Sequence, residues 1–61
     1  MILELHFLAT PNEMVLVNVD QVKLFKRYQD TGTMVQFFDN REYIVVTETR
    51  DQILTMIRSY E

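Results

Sequence analysis

Glu42-Tyr43-Ile44-Val45-Val46-Thr47-Glu48-Thr49-Arg50-Asp51-Gln52-Ile53-Leu54-Thr55-Met56-Ile57-Arg58-Ser59-Tyr60 is the stretch on which the fold turns. Its first part is rich in β-branched and aromatic residues and reads as a strand over 42–47. At Thr49 the period changes. Thr49 followed three residues later by Gln52 is a capping box, in which each side chain satisfies a backbone N–H of the other's turn. Asp51 falls in the first turn and Arg58 in the last, both favourable to the helix dipole. Ile53, Leu54, Met56, Ile57 and Tyr60 make an apolar stripe at helical spacing. The spacing predicts a helix over about 49–60, too short to stand alone in water, so its stripe must dock on the sheet or on a neighbour.

Upstream the chain is strand after strand. Leu3, Leu5 and Phe7 alternate with Glu4 and His6, a period of two over Ile2–Leu8. Thr10-Pro11-Asn12-Glu13 is a turn. Met14-Val15-Leu16-Val17-Asn18-Val19 is apolar on both parities, as expected of a strand covered on both faces. In so short a chain the second cover is expected to be a neighbouring subunit. Residues 20–29 read in two ways. Asp20 could cap a short helix carrying Val22, Phe25 and Tyr28, or the segment is a strand after a tight turn at 18–21. The strand is preferred. Asp30-Thr31-Gly32-Thr33 is a hairpin turn that places the one glycine where φ must be positive. Thr33–Phe38 is a further strand, and Asp39-Asn40-Arg41 a further turn.

The expected fold is therefore mainly β (α+β): about five antiparallel strands in a meander or open roll, closed by one C-terminal helix, in a single domain over residues 1–61. With 61 residues, 48% of them hydrophobic, and a net charge of −3, the chain is neither disordered nor divisible into two cores. It has no cysteine, so no disulfide or zinc–thiolate staple supports it. Domains of this size lean on packing or oligomerisation instead. No apolar run approaches a membrane span, the N-terminus lacks the basic lead of a signal peptide, and the cytoplasm is the expected compartment.

Catalysis is not expected. The one histidine, His6, sits on the first strand and the one serine, Ser59, at the end of the last helix, which offers no nucleophile–base pair. The acids Asp39, Glu42, Glu48 and Asp51 read as turn and cap residues. A single glycine cannot make a phosphate loop. No metal and no cofactor is expected.

Two features point to binding. Lys23-Leu24-Phe25-Lys26-Arg27-Tyr28 interleaves cations with aromatics in an otherwise acidic chain. Lys23, Phe25, Lys26, Arg27 and Tyr28 form a candidate site for single-stranded RNA or DNA, with rings stacking on bases and cations following phosphates. The same segment also reads as an edge strand protected from aggregation by its charge. The second feature is a surplus of apolar residues. Ile2, Leu8, Val15, Val17 and Phe38 exceed what one small core face needs, and are candidates for an interface with a second copy or another protein.

Val17-Asn18-Val19-Asp20-Gln21-Val22, Gly32-Thr33-Met34-Val35-Gln36-Phe37 and Tyr43-Ile44-Val45-Val46-Thr47-Glu48-Thr49, followed by a short helix, resemble the small FlbD-type family associated with bacterial flagellar operons. They are also similar to short bacterial and phage β-proteins with the same rhythm. The resemblance covers about residues 14–57 and implies no catalytic residues. A strongly bent five-stranded sheet in so small a chain also looks like an Sm-like or SH3-like roll. The Sm likeness implies assembly through edge strands and RNA binding. The expected function is a non-catalytic, homo-oligomeric interaction or assembly module of bacterial or phage type, with single-stranded nucleic-acid binding as the alternative.

Overall fold

The structure is a computed structural model that describes residues 1–39 and 42–60. Its elements run β1 (Ile2–His6), β2 (Met14–Asn18), a 3₁₀ turn (Val19–Gln21), β3 (Val22–Arg27), β4 (Thr33–Phe37), β5 (Tyr43–Val46) and α1 (Arg50–Ser59). The mainly β fold with a C-terminal helix is the one its sequence periods predict. Of the Asp39-Asn40-Arg41 turn, Asn40 and Arg41 lie outside the described residues.

The strands form two antiparallel sheets, a β1–β2 hairpin and a β3–β4–β5 meander. The 3₁₀ turn separates them in sequence. Asn18 initiates it, its side-chain oxygen accepting from the Asp20 N–H at 3.1 Å, and the Phe38 N–H ties it to β4 through the Gln21 carbonyl at 3.0 Å. The sheets rejoin where the end of β1 meets β5. There Phe7 bridges to Val46, the Leu8 N–H donates to the Val45 carbonyl at 2.9 Å, and the Thr47 N–H donates to the His6 carbonyl at 2.7 Å. β1 is thus held on its outer side at its end, around His6 to Leu8, while among the described residues β2 and β3 each pair along one side.

Residues 22–27 are a strand, and a bulge explains their helix-like spacing. Val22 pairs with Phe37 but Leu24 pairs with Gln36, leaving Lys23 as the extra residue. One extra residue reverses the parity, so Val22 and Phe25, three apart, both pack toward the core. The β3–β4 turn contains two left-handed residues, Gln29 at φ 51° and Gly32 at φ 83°.

The core is made of Leu3, Leu5 and Val17 from the hairpin, Val35 and Val46 from the meander, and Ile53 from the helix. Ile53 joins the two sheets. Met56 and Ile57 flank it, half-buried, while Leu54 and Tyr60, from the same apolar stripe, stay exposed. The capping box at Thr49 and Gln52 is formed in both directions, at 3.1 and 2.8 Å.

Candidate functional site

The side chains that face away from the core follow from the hairpin's register. Leu3 opposes Val17 and Leu5 opposes Val15, and these point inward. Ile2–Asn18, Glu4–Leu16 and His6–Met14 pair on the other face. That face carries large apolar side chains, with Ile2 48%, Met14 52% and Leu16 61% exposed.

The same register shows which backbone groups are turned outward. The Phe7 N–H donates to the Glu13 carbonyl at 3.2 Å and the Val19 N–H to the Met1 carbonyl at 3.0 Å. Hydrogen-bonded and non-bonded pairs alternate along an antiparallel ladder. Leu3–Val17 and Leu5–Val15 are therefore bonded within the hairpin, and Ile2–Asn18, Glu4–Leu16 and His6–Met14 are not. The N–H and C=O of Ile2, Glu4 and His6 point off the outer side of β1, and those of Met14 and Leu16, with the N–H of Asn18, off the outer side of β2. His6 shows the rule at work: its N–H donates to a Glu48 carboxylate oxygen at 2.9 Å and its carbonyl accepts from Thr47.

Of the residues assigned to an interface from sequence, Ile2 and Phe38 are exposed, at 48% and 65%. Leu8 and Val15 are half-buried. Val17, at 1% exposure, packs in the internal core of the chain. With β2 apolar on both parities, the alternation could not distinguish Val15 and Val17 from Met14 and Leu16. The outward pair is the latter, fixed by pairing with His6 and Glu4, whose polarity signals the solvent side.

The basic–aromatic segment is divided by its fold. Lys23, Lys26 and Arg27 are exposed, whereas Phe25 and Tyr28 are half-buried. Phe25 packs against the core, and Tyr28 lines a shallow depression with Phe7, Leu8 and Tyr43. The bulge at Lys23 moves that residue off the face it would have shared with Phe25. Between β3 and α1 lies an open groove of about 740 Å³, floored by Phe25, Ile53 and Ile57, with Arg27 and Arg50 offset by Asp30 and Asp51.

His6 and Glu48 form a part-buried polar pair. The His6 ring Nδ1 lies 2.7 Å from a Glu48 carboxylate oxygen, and the Thr47 hydroxyl donates to the other oxygen at 3.2 Å. The Glu48 carbonyl accepts from the buried Thr33 hydroxyl at 2.8 Å. Burial pushes the Glu48 carboxyl up. Hydrogen bonds from the His6 ring, the His6 N–H, its own N–H and Thr47 outweigh this and hold it below its ordinary value of 4.5. The His6 contacts tie β1, and the Thr33 contact ties β4, to the approach of α1. The Ser59 hydroxyl is bonded to the Met56 carbonyl at 2.7 Å, at the other end of the helix. No cluster of three or more metal-ligating side chains occurs among the described residues, and no helix among them is long and apolar enough to cross a membrane. No protein-family model matches the chain, no curated protein is similar to it in sequence, and no solved structure matches its fold.

Proposed function

We propose that the protein is a non-catalytic, self-associating interaction module, of the small bacterial or phage kind its sequence resembles, and that the β1–β2 hairpin is its contact surface. The observation that carries this reading is the exposure of Ile2, Met14 and Leu16, three large apolar side chains about half exposed on one face, which they share with Glu4, His6 and Asn18. Single exposed apolar residues are ordinary, but several gathered on one face and rimmed by polar ones are a usual mark of a contact surface. A chain of this length also gains most from a second copy, because its own core is small.

Size-exclusion chromatography with light scattering, at low and high salt, tests the reading. A defined oligomer at both salts supports it, since an apolar contact is not weakened by screening. Leu16→Lys shifts that oligomer to monomer. A monomer at both salts rejects the reading.

A second reading, single-stranded nucleic acid at residues 23–28, draws support from the joint exposure of Lys23, Lys26 and Arg27 on one strand. Its affinity for an oligonucleotide falls steeply from low to moderate salt. Replacing these three cations with Gln abolishes it. Binding that survives the triple replacement eliminates this reading.

A further inference from the structure

β2 and β3, each unpaired along one side among the described residues, differ in how they are protected. β3 carries a bulge at Lys23 and the cations Lys26 and Arg27, the features by which sheet edges repel a further strand. β2, Met14-Val15-Leu16-Val17-Asn18, has no charge, no proline and no bulge. Its outward groups are the N–H and C=O of Met14 and Leu16 and the N–H of Asn18, with Met14 and Asn18 on either side of Leu16; the Asn18 carbonyl opens the 3₁₀ turn.

From this we infer that two copies of the chain join antiparallel through β2, with the two-fold axis passing beside Leu16. The inference rests on the self-association reading and names its geometry. About that axis the Leu16 N–H donates to the carbonyl of the second copy's Leu16 and receives the reciprocal bond. The Asn18 N–H donates to the carbonyl of the second copy's Met14 and the reverse holds across the axis, while the Asn18 carbonyl, which already accepts within the 3₁₀ turn, takes the Met14 N–H of the second copy as a second donor. On the outer face the two Leu16 side chains lie opposite each other and extend the apolar patch. On the inner face Val15 lies opposite the second copy's Val17, which continues the core across the seam. The product is a four-stranded sheet, β1–β2–β2–β1. A two-fold contact uses the same patch on both copies and closes after two, and the charged, bulged β3 edge does not extend it.

The chain contains no cysteine, so one introduced thiol reports one position. Opposed residues of a hydrogen-bonded antiparallel pair have Cα atoms about 5.5 Å apart, with Cβ atoms about as far, too wide for an unstrained disulfide but within reach of a short bifunctional thiol reagent. Such a reagent converts Leu16→Cys to covalent dimer. Ile2→Cys, on the same face but one strand further from the seam, stays monomeric on a denaturing gel. Leu16→Pro is the complementary variant. It removes an N–H that the hairpin does not use, so the β1–β2 ladder survives while the seam loses its central bonds. It is expected to keep the wild-type circular dichroism spectrum and to halve the mass seen by light scattering. A wild-type dimer whose Leu16→Cys variant does not cross-link, or whose Ile2→Cys variant does, overturns the two-fold seam and leaves the self-association reading standing. An assembly larger than two copies also overturns it. A wild-type monomer at both salts removes the reading itself. If Leu16→Pro unfolds, the cysteine pair decides alone.

Discussion

Gly32 is the residue with the least freedom to change. Its φ of 83° is in the left-handed region, and a Cβ built there would lie 2.5 Å from the Val46 carbonyl oxygen, a backbone atom of β5. Left-handed backbone costs a non-glycine residue about 1–2 kcal/mol, and forcing atoms into a filled space costs about 1–3 kcal/mol more. Gly32→Ala should therefore lower the urea midpoint by the equivalent of at least about 2 kcal/mol. Loss of less than about 0.5 kcal/mol would show that the β3–β4 turn does not press on β5. Glu48 sets the response to acid. Its carboxyl titrates lower in the folded chain than in the unfolded one, so the unfolded state binds the proton more readily. Its stabilisation is complete above its ordinary value of 4.5 and is lost as pH falls through the lower folded-state value. Glu48→Gln should flatten the acid limb of the stability–pH curve. An unchanged acid limb would show that the His6 contact contributes nothing to folding. Nothing local in the sequence announces this contact, because His6 and Glu48 are 42 residues apart. Sequence reading assigns Glu48 a turn or cap role, and only the β1–β5 junction makes it a buried acceptor.

The helix is the element whose signals agree most closely. Capping box, charged first and last turns and apolar stripe are all local, and all are present in α1. Thr49→Ala removes the acceptor for the Gln52 N–H and should cost about 1 kcal/mol, within the roughly 0.5–2 kcal/mol span of such caps. Thr49→Ser should recover most of it. Equal losses for the two would mean that the cap hydrogen bond is not the cause. Strand existence was legible for the same reason: alternation and turn residues are local. Which face each strand buries was less so. β1 announces its inner face because Glu4 and His6 occupy the other one. β2 has no polar residue within Met14–Val17 to mark the solvent side, so its parity is set by its partner. β3 breaks parity altogether, because an extra residue at Lys23 shifts the alternation and produces the three-residue spacing that also reads as a helix. The interface residues read from sequence follow this division. Ile2, on the well-marked strand, is on the exposed face, while Val17, on the unmarked one, proves to be core.

At the scale of the whole molecule, two small sheets and one helix share six buried apolar side chains among the described residues. At roughly 0.05–0.15 kcal/mol per residue, a chain of this length holds about 3–9 kcal/mol of stability. That range is small enough for one contact with a second copy to be visible in unfolding. Association stabilises only the folded form, so in a dimer the unfolding equilibrium depends on concentration. A tenfold rise in concentration is worth about 1.4 kcal/mol per dimer, or about 0.7 kcal/mol per chain. For domains of this size 1 kcal/mol shifts Tm by about 4–8 °C. The wild-type Tm should therefore climb by roughly 3–6 °C for each tenfold increase in concentration once the dimer is populated. Leu16→Pro, with its hairpin ladder intact and its seam broken, should melt at a Tm independent of concentration. It should also melt below the wild type by a margin that narrows as the wild type is diluted. A wild-type Tm that stays flat across a hundredfold range would place all of the stability within one chain, and the exposed Ile2, Met14 and Leu16 would then have no part in holding the fold.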